Sequence, residues 1–300
     1  MTSLAGDDLE VELILDAHAR VGEGPVWDDA SGTLVWVDIM SHAVNRYDPA
    51  TGRNRTLDVG QPVGAVVLRR NGNGLVLALR DGFGMLDEGS GKVEMVALVE
   101  ADVPTNRMND GKCDPGGRFW AGTMPFSPTP GSAAGALYWL DPNLQVSRML
   151  GGVTLSNGID WSPDGQQMYY IDSMTQGLDV FDFAAEDGSL SNRRRLITIP
   201  PDEGLPDGMT VDAEGGLWMA LHGSGSIRRY MPAGRLDRVV RVPPTMVTCC
   251  TFGGPDLTDL YITTMSLGLS EADRRAQPLA GALFRCRPGI QGLPPHRFAA

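Results

Sequence analysis

A phrase that recurs along the chain limits what it can fold into more than any other feature. Pro206-Asp207-Gly208-Met209-Thr210-Val211 runs as a short alternating segment, turns at Asp212 to Gly216 and resumes as an apolar segment around Trp218. This is the pattern of a hairpin with a carboxylate at its entrance. It returns at Asn157-Gly158-Ile159-Asp160-Trp161 before Met168-Tyr169-Tyr170-Ile171, and at Asn109-Asp110-Gly111-Lys112-Cys113 before Phe119-Trp120-Ala121. A fourth copy is Glu23-Gly24-Pro25-Val26-Trp27 before Leu34-Val35-Trp36-Val37.

Aligning the apolar second segments at Trp36, Val76, Trp120, Tyr169, Trp218 and Tyr261 gives a period of about 45 residues. A helical solenoid of similar period would need apolar stripes at 3.6-residue spacing. This chain instead has period-2 runs such as Leu75-Val76-Leu77-Ala78, and its 38 glycines and 21 prolines would break helices throughout. The expected fold is all-β: a six-bladed β-propeller with four-stranded blades, one domain over residues 1–300, blades starting near 23, 63, 109, 157, 207 and 247. The alternating segment from Glu10 to Leu15 suits a strand that pairs with the last blade and closes the ring, removing an open edge. The later strands of that blade are expected at Ala282-Leu283-Phe284-Arg285-Cys286 and in the tail near His296. Trp36, Trp120 and Trp218 are read as packing residues within and between blades.

Composition narrows the function. A formal net charge of -12 disfavours nucleic acid and anionic membrane surfaces as partners. The first ten residues lack the basic region and apolar run of a secretory leader, and no apolar stretch is long enough to span a bilayer, so a cytoplasmic location is expected. Cys113, Cys249, Cys250 and Cys286 have no metal-site spacing and read as buried thiols. No nucleophile elbow, Walker loop, His-Glu-x-x-His or dinucleotide fingerprint is present.

Glu23, Asn109, Asn157 and Asp207 precede their aligned second segments by nearly equal distances, so they occupy equivalent positions in four blades. In a propeller the first strand of each blade lines the central channel, and these oxygen-bearing side chains converge in one funnel. Acid-Gly and Asn-Gly pairs are also ordinary turn formers, and any one of them alone is read equally well that way. Two carboxylates crowded on one axis, however, repel each other and lose solvation unless a cation sits between them. Oxygen ligands suit Ca²⁺, Mg²⁺ or Mn²⁺, and a mixed carboxylate and amide site also takes Zn²⁺ or Fe²⁺. Segments following the second strands face the same funnel, which brings His222 and Met124 to Ser127 toward it. Arg107, two residues before Asn109, shares its side of an extended strand and adds a donor. His18, His42 and His296 read as surface residues.

Gly22-Glu23-Gly24-Pro25, Asn106-Arg107-Met108-Asn109-Asp110-Gly111-Lys112, Gly122-Thr123-Met124, Ser156-Asn157-Gly158, Tyr170-Ile171-Asp172-Ser173, Pro206-Asp207-Gly208 and Phe252-Gly253-Gly254 occur in that order. Together they resemble the regucalcin and gluconolactonase family, also called the senescence marker protein family, from about Gly22 to Phe284. The resemblance implies a six-bladed propeller that holds one divalent metal ion and hydrolyses a small-molecule sugar lactone. It implies Glu23, Asn157 and Asp207 as metal ligands, Asp207 as the proton-handling catalytic residue, and Arg107 and Asn109 as substrate-binding residues. Asn109, placed among the ligands by the channel argument, thus moves one role outward. Pro125-Phe126-Ser127 stands where vertebrate members carry a sugar-binding acid, which implies altered substrate preference with retained chemistry. The alternatives are a broader arylesterase or organophosphate-type hydrolase, and a calcium-binding scaffold without catalytic duty.

Overall fold

In the computed structural model, which describes residues 9–72 and 74–300, six antiparallel four-stranded sheets stand around a central axis. The reading of the first residues as leaderless rests largely on residues outside those described. The innermost strands are Gly22–Asp28, Val63–Leu68, Asn106–Cys113, Ser156–Trp161, Leu205–Val211 and Val247–Gly253. Each packs beside the next, and the last beside the first, so the ring is closed. The molecule is a six-bladed β-propeller, as the repeat implies.

Blade six is completed by the other end of the chain. Its sheet runs inward to outward through Val247–Gly253, Asp259–Thr264, Leu283–Cys286 and Glu12–Leu15, with Leu13 opposite Phe284. The tail near His296 does not supply a blade strand, contrary to expectation. Its Leu-Pro-Pro sequence cannot donate a full ladder, and it crosses the end of the channel instead. Gly292 N donates to Leu257 O, Phe298 N to Leu68 O and Ala299 N to Gly117 O, so the strap joins blade six to blades two and three. Phe298 is fully buried in the core between those last two blades.

Large aromatics fill the spaces between blades. Trp27 of blade one stacks on Tyr261 of blade six at 5.5 Å across the closure, Trp120 meets Trp161 edge to face, and Trp218 meets Phe252 edge to face. The indole N–H groups of Trp120 and Trp218 need partners in so dry a place, and the Asp-rich turns provide them. Asp114 accepts from Trp120 Nε1 at 2.9 Å and Asp212 from Trp218 Nε1 at 2.7 Å. Both aspartates have no exposed surface. These turn carboxylates at the far end from the funnel are therefore structural, and the three tryptophans are packing residues as read from the sequence.

The acid-Gly and Asn-Gly pairs prove to be bulges rather than turns. In the four innermost strands that carry the recurring pair the register slips there, between Glu23 and Val26, Met108 and Gly111, Ser156 and Ile159, and Pro206 and Met209. A bulge leaves one residue unpaired and re-aims its side chain, which turns the polar residue inward to the axis. Glycine follows because the blades nearly touch there: a Cβ on Gly158 would lie 2.7 Å from Asp207 O of the next blade.

Candidate metal centre and active site

One funnel collects Glu23, Arg107, Asn109, Asn157, Asp207 and His222. Glu23 reaches it from blade one, Arg107 and Asn109 from blade three, Asn157 from blade four, and Asp207 from blade five. His222 ends the second strand of blade five, directly opposite Leu205 in register. Ser127 is exposed and is not among the residues lining the funnel; its neighbour Phe126 is.

A hydrogen-bonded chain fixes the amides. Arg107 Nη1 donates to Asn109 Oδ1 at 2.6 Å, and Asn109 Nδ2 donates to Ser156 O at 2.6 Å and to Asn157 Oδ1 at 2.9 Å. Asn157 Nδ2 donates to Ser173 Oγ at 2.8 Å, and Ser173 Oγ in turn donates to Pro206 O at 2.6 Å, beside Asp207. The chain settles which end of each amide points where. Asn157 is left with its oxygen toward Asn109, and Asn109 keeps only one unused lone pair, on Oδ1. Ser173 was visible in the sequence only as part of a segment facing the funnel; its role in orienting Asn157 needed the geometry.

The electrostatics are those of a site short of positive charge. Glu23 and Asp207 are 4% and 8% exposed. Burial, then the neighbouring carboxylates Asp207 and Asp110, hold the Glu23 carboxyl well above its ordinary range; burial and Asp110 do the same to Asp207. Deeper in the channel Asp110 is pushed up to about 6, chiefly by burial. There Lys112 Nζ donates to Asp160 Oδ2 at 2.7 Å and to Met209 O at 3.0 Å. Among the described residues the channel thus sets four carboxylates, Glu23, Asp110, Asp160 and Asp207, against two cations, Arg107 and Lys112. The sequence reading missed Asp110, Lys112 and Asp160. Their signal was the repeated polar residue within strands that otherwise alternate into a core.

Two buried polar atoms have no hydrogen-bond partner in the funnel, Arg107 Nε and His222 Nδ1. Burial lowers the Arg107 guanidinium to about 10 and pulls the His222 imidazole below its usual value, which favours its neutral form. Its Nδ1 lies 3.9 Å from Asp207 Oδ2, too far for a hydrogen bond. Other residues of the facing segments are spent on the backbone. Asp38 accepts from the amides of Arg20 and Val21, and Asp172 from those of Thr154 and Leu155.

The donor set fits a hard divalent cation. Two carboxylates and an amide oxygen supply oxygen ligands, and an excess of two negative charges matches one such ion. A buried carboxylate pair of this kind is costly without it.

Residues 21–266 match the family model described as SMP-30/Gluconolactonase/LRE-like region. The chain is 39% identical to a regucalcin from Xenopus laevis, covering 97% of this chain and 99% of the relative. Among solved structures, a calcium-binding protein, regucalcin, from Agrobacterium tumefaciens superposes with a TM-score of 0.92 at 28% identity, over 97% of this chain and 98% of the other. A gluconolactonase from Xanthomonas campestris superposes with a TM-score of 0.72 at 25% identity, over 94% and 90%. The bulged Glu, Asn and Asp around a propeller channel and these likenesses over nearly the whole length lead to one conclusion: the chain is a member of the SMP-30/gluconolactonase/LRE-like family.

Proposed function

We propose that this protein is a divalent-metal-dependent lactonase that opens a sugar lactone to its aldonic acid. The observation that carries the reading is the buried pair Glu23 and Asp207, both held above the ordinary carboxylate range, together with an Asn157 oxygen oriented by Asn109 and Ser173. Membership of a gluconolactonase-like family supports the substrate class. Glu23, Asn157 and Asp207 would hold the ion. Such an ion polarises a carbonyl and lowers the pKa of water. Calcium is the first candidate, given the all-oxygen donor set and the calcium-binding relative.

The chain's own residues then divide the work. Asp207 takes the proton from the attacking water, a role suited to a carboxylate held at the channel axis beside the substrate-binding residues. Arg107, with Nε uncommitted, donates to a substrate oxygen and orients it. Asn109 holds Arg107 and Asn157 in register and offers its remaining Oδ1 lone pair to a substrate hydroxyl. Four free buried cysteines suit a reducing compartment, in keeping with a cytoplasmic enzyme.

A pH-stat assay on glucono-1,5-lactone tests the reading. Turnover should disappear with a chelator, return with added metal, and fall by at least about a thousandfold in Asp207→Asn, the scale on which an essential catalytic group is lost. Undiminished hydrolysis by Asp207→Asn would remove the basis of the assignment.

A further inference from the structure

The funnel has a second tier above the polar floor. Side chains two apart on an extended strand share a face, and each site residue has such a neighbour toward the mouth. Val21 precedes Glu23, Arg107 precedes Asn109, Leu155 precedes Asn157 and Leu205 precedes Asp207, and all eight line the same cavity. The tier therefore consists of three aliphatic groups and one guanidinium, with the His222 imidazole opposite Leu205 as its other polar group. The turns around it continue the pattern: Met40 follows the second strand of blade one, Met265 follows that of blade six, and Phe126, 39% exposed, stands at the end of that of blade three. Met40, Met265 and Val21 belong with one apolar cluster built mainly between blades one and two, with Met265 reaching it from blade six. Thr248 also lines the funnel, but its hydroxyl is spent on Gly22 O at 2.5 Å.

A lactone whose carbonyl reaches the floor sends its exocyclic end up into this tier. A chain of hydroxyls there meets Arg107 on blade three and the imidazole of His222 on blade five, and is otherwise stripped of water against methyl and thioether groups. A hydrocarbon end meets partners of its own kind. We propose that the preferred substrate is a lactone whose exocyclic end is methyl or a short alkyl group, with its ring hydroxyls directed to Arg107 and Asn109. This rests on the lactonase reading and narrows it.

Matched pairs differing by one hydroxyl test it on the metal-loaded protein: L-fucono- against L-galactono-1,4-lactone, L-rhamnono- against L-mannono-1,4-lactone, and racemic δ-hexalactone against its 6-hydroxy counterpart. The deoxy member should be favoured about ten- to a hundredfold in kcat/KM, the range by which an apolar pocket discriminates against an added hydroxyl. Leu205→Gln, which sets an amide in the half-buried wall two residues from Asp207, should bring the ratio toward one, mainly by raising KM for the deoxy member. A hydroxylated member that is equal or better in the wild-type protein overturns the inference and leaves the lactonase reading standing. If no lactone of any pair is hydrolysed, both fall.

Discussion

The closeness of the blades around the axis makes Gly158→Ala the most informative single substitution in the scaffold. Its Cβ would meet Asp207 O at 2.7 Å, Met209 Cγ at 2.8 Å and Ile171 Cδ1 at 3.0 Å. Side chains of methionine and isoleucine can yield, but a backbone carbonyl inside a bulge cannot move alone. The innermost strand of blade five must shift away from that of blade four, and Asp207 moves relative to Asn157. Overpacking of this kind costs about 1–3 kcal/mol. At roughly 2–3 °C per kcal/mol for a chain of this size, the Tm should fall by about 2–9 °C. Displacing groups that orient metal ligands typically weakens binding about 10–100-fold, so calcium affinity by calorimetry should fall on that scale. Gly89→Ala serves as control: the position is exposed, its Cβ would meet only Asp87 Oδ1 at 3.3 Å, and the change should stay within about 0.5 kcal/mol. A Gly158→Ala protein with wild-type Tm and wild-type calcium affinity would refute the claim that glycine is there to let the blades approach.

Two further outcomes follow from buried charge. Asp212→Ala strands Trp218 Nε1 and Arg229 Nε, both now bonded to Oδ2 at 2.7 Å, and should cost about 3–5 kcal/mol in urea unfolding; a loss below about 1 kcal/mol would show the turn carboxylate to be dispensable. In the metal-free protein, the raised carboxyls Glu23, Asp207 and Asp110 bind protons that the unfolded chain has already released. Stability therefore declines as pH rises from the ordinary carboxylate range near about 4, with the share from Asp110 lost by the time its value of about 6 is passed. Calcium displaces those protons, so the Tm gain on adding it should be larger at about pH 7.5 than at about pH 5. Equal gains at both would contradict the carboxylates as ligands.

The repeat of about 45 residues made the propeller and its six blades legible, because each blade carries its own hairpin signal and its own buried aromatic. Equivalent spacing placed Glu23, Asn157, Asp207 and Asn109 in one funnel before any coordinates, and the structure brings them together. What spacing does not encode is which atoms are spent. Asn109 looks like a free amide in sequence, yet both its N–H groups are given to Ser156 O and Asn157 Oδ1. The charge pair of Lys112 and Asp160 joins residues 48 apart, a relation set by the ring and not by local pattern. The tail near His296 misled for a similar reason: it reads as a later strand of blade six, but Phe298 is buried by contacts with blades two and three, far away in the chain.

The central claim is that Glu23, Asn157 and Asp207 act together on one ion, and anomalous diffraction from crystals grown with manganese in place of calcium tests it most directly. The account predicts one strong anomalous peak on the channel axis, within about 2.0–2.6 Å of oxygen atoms from all three residues. A funnel without a peak at saturating metal, or an ion bound by Asp110 and Asp160 at the other end of the channel, would contradict it.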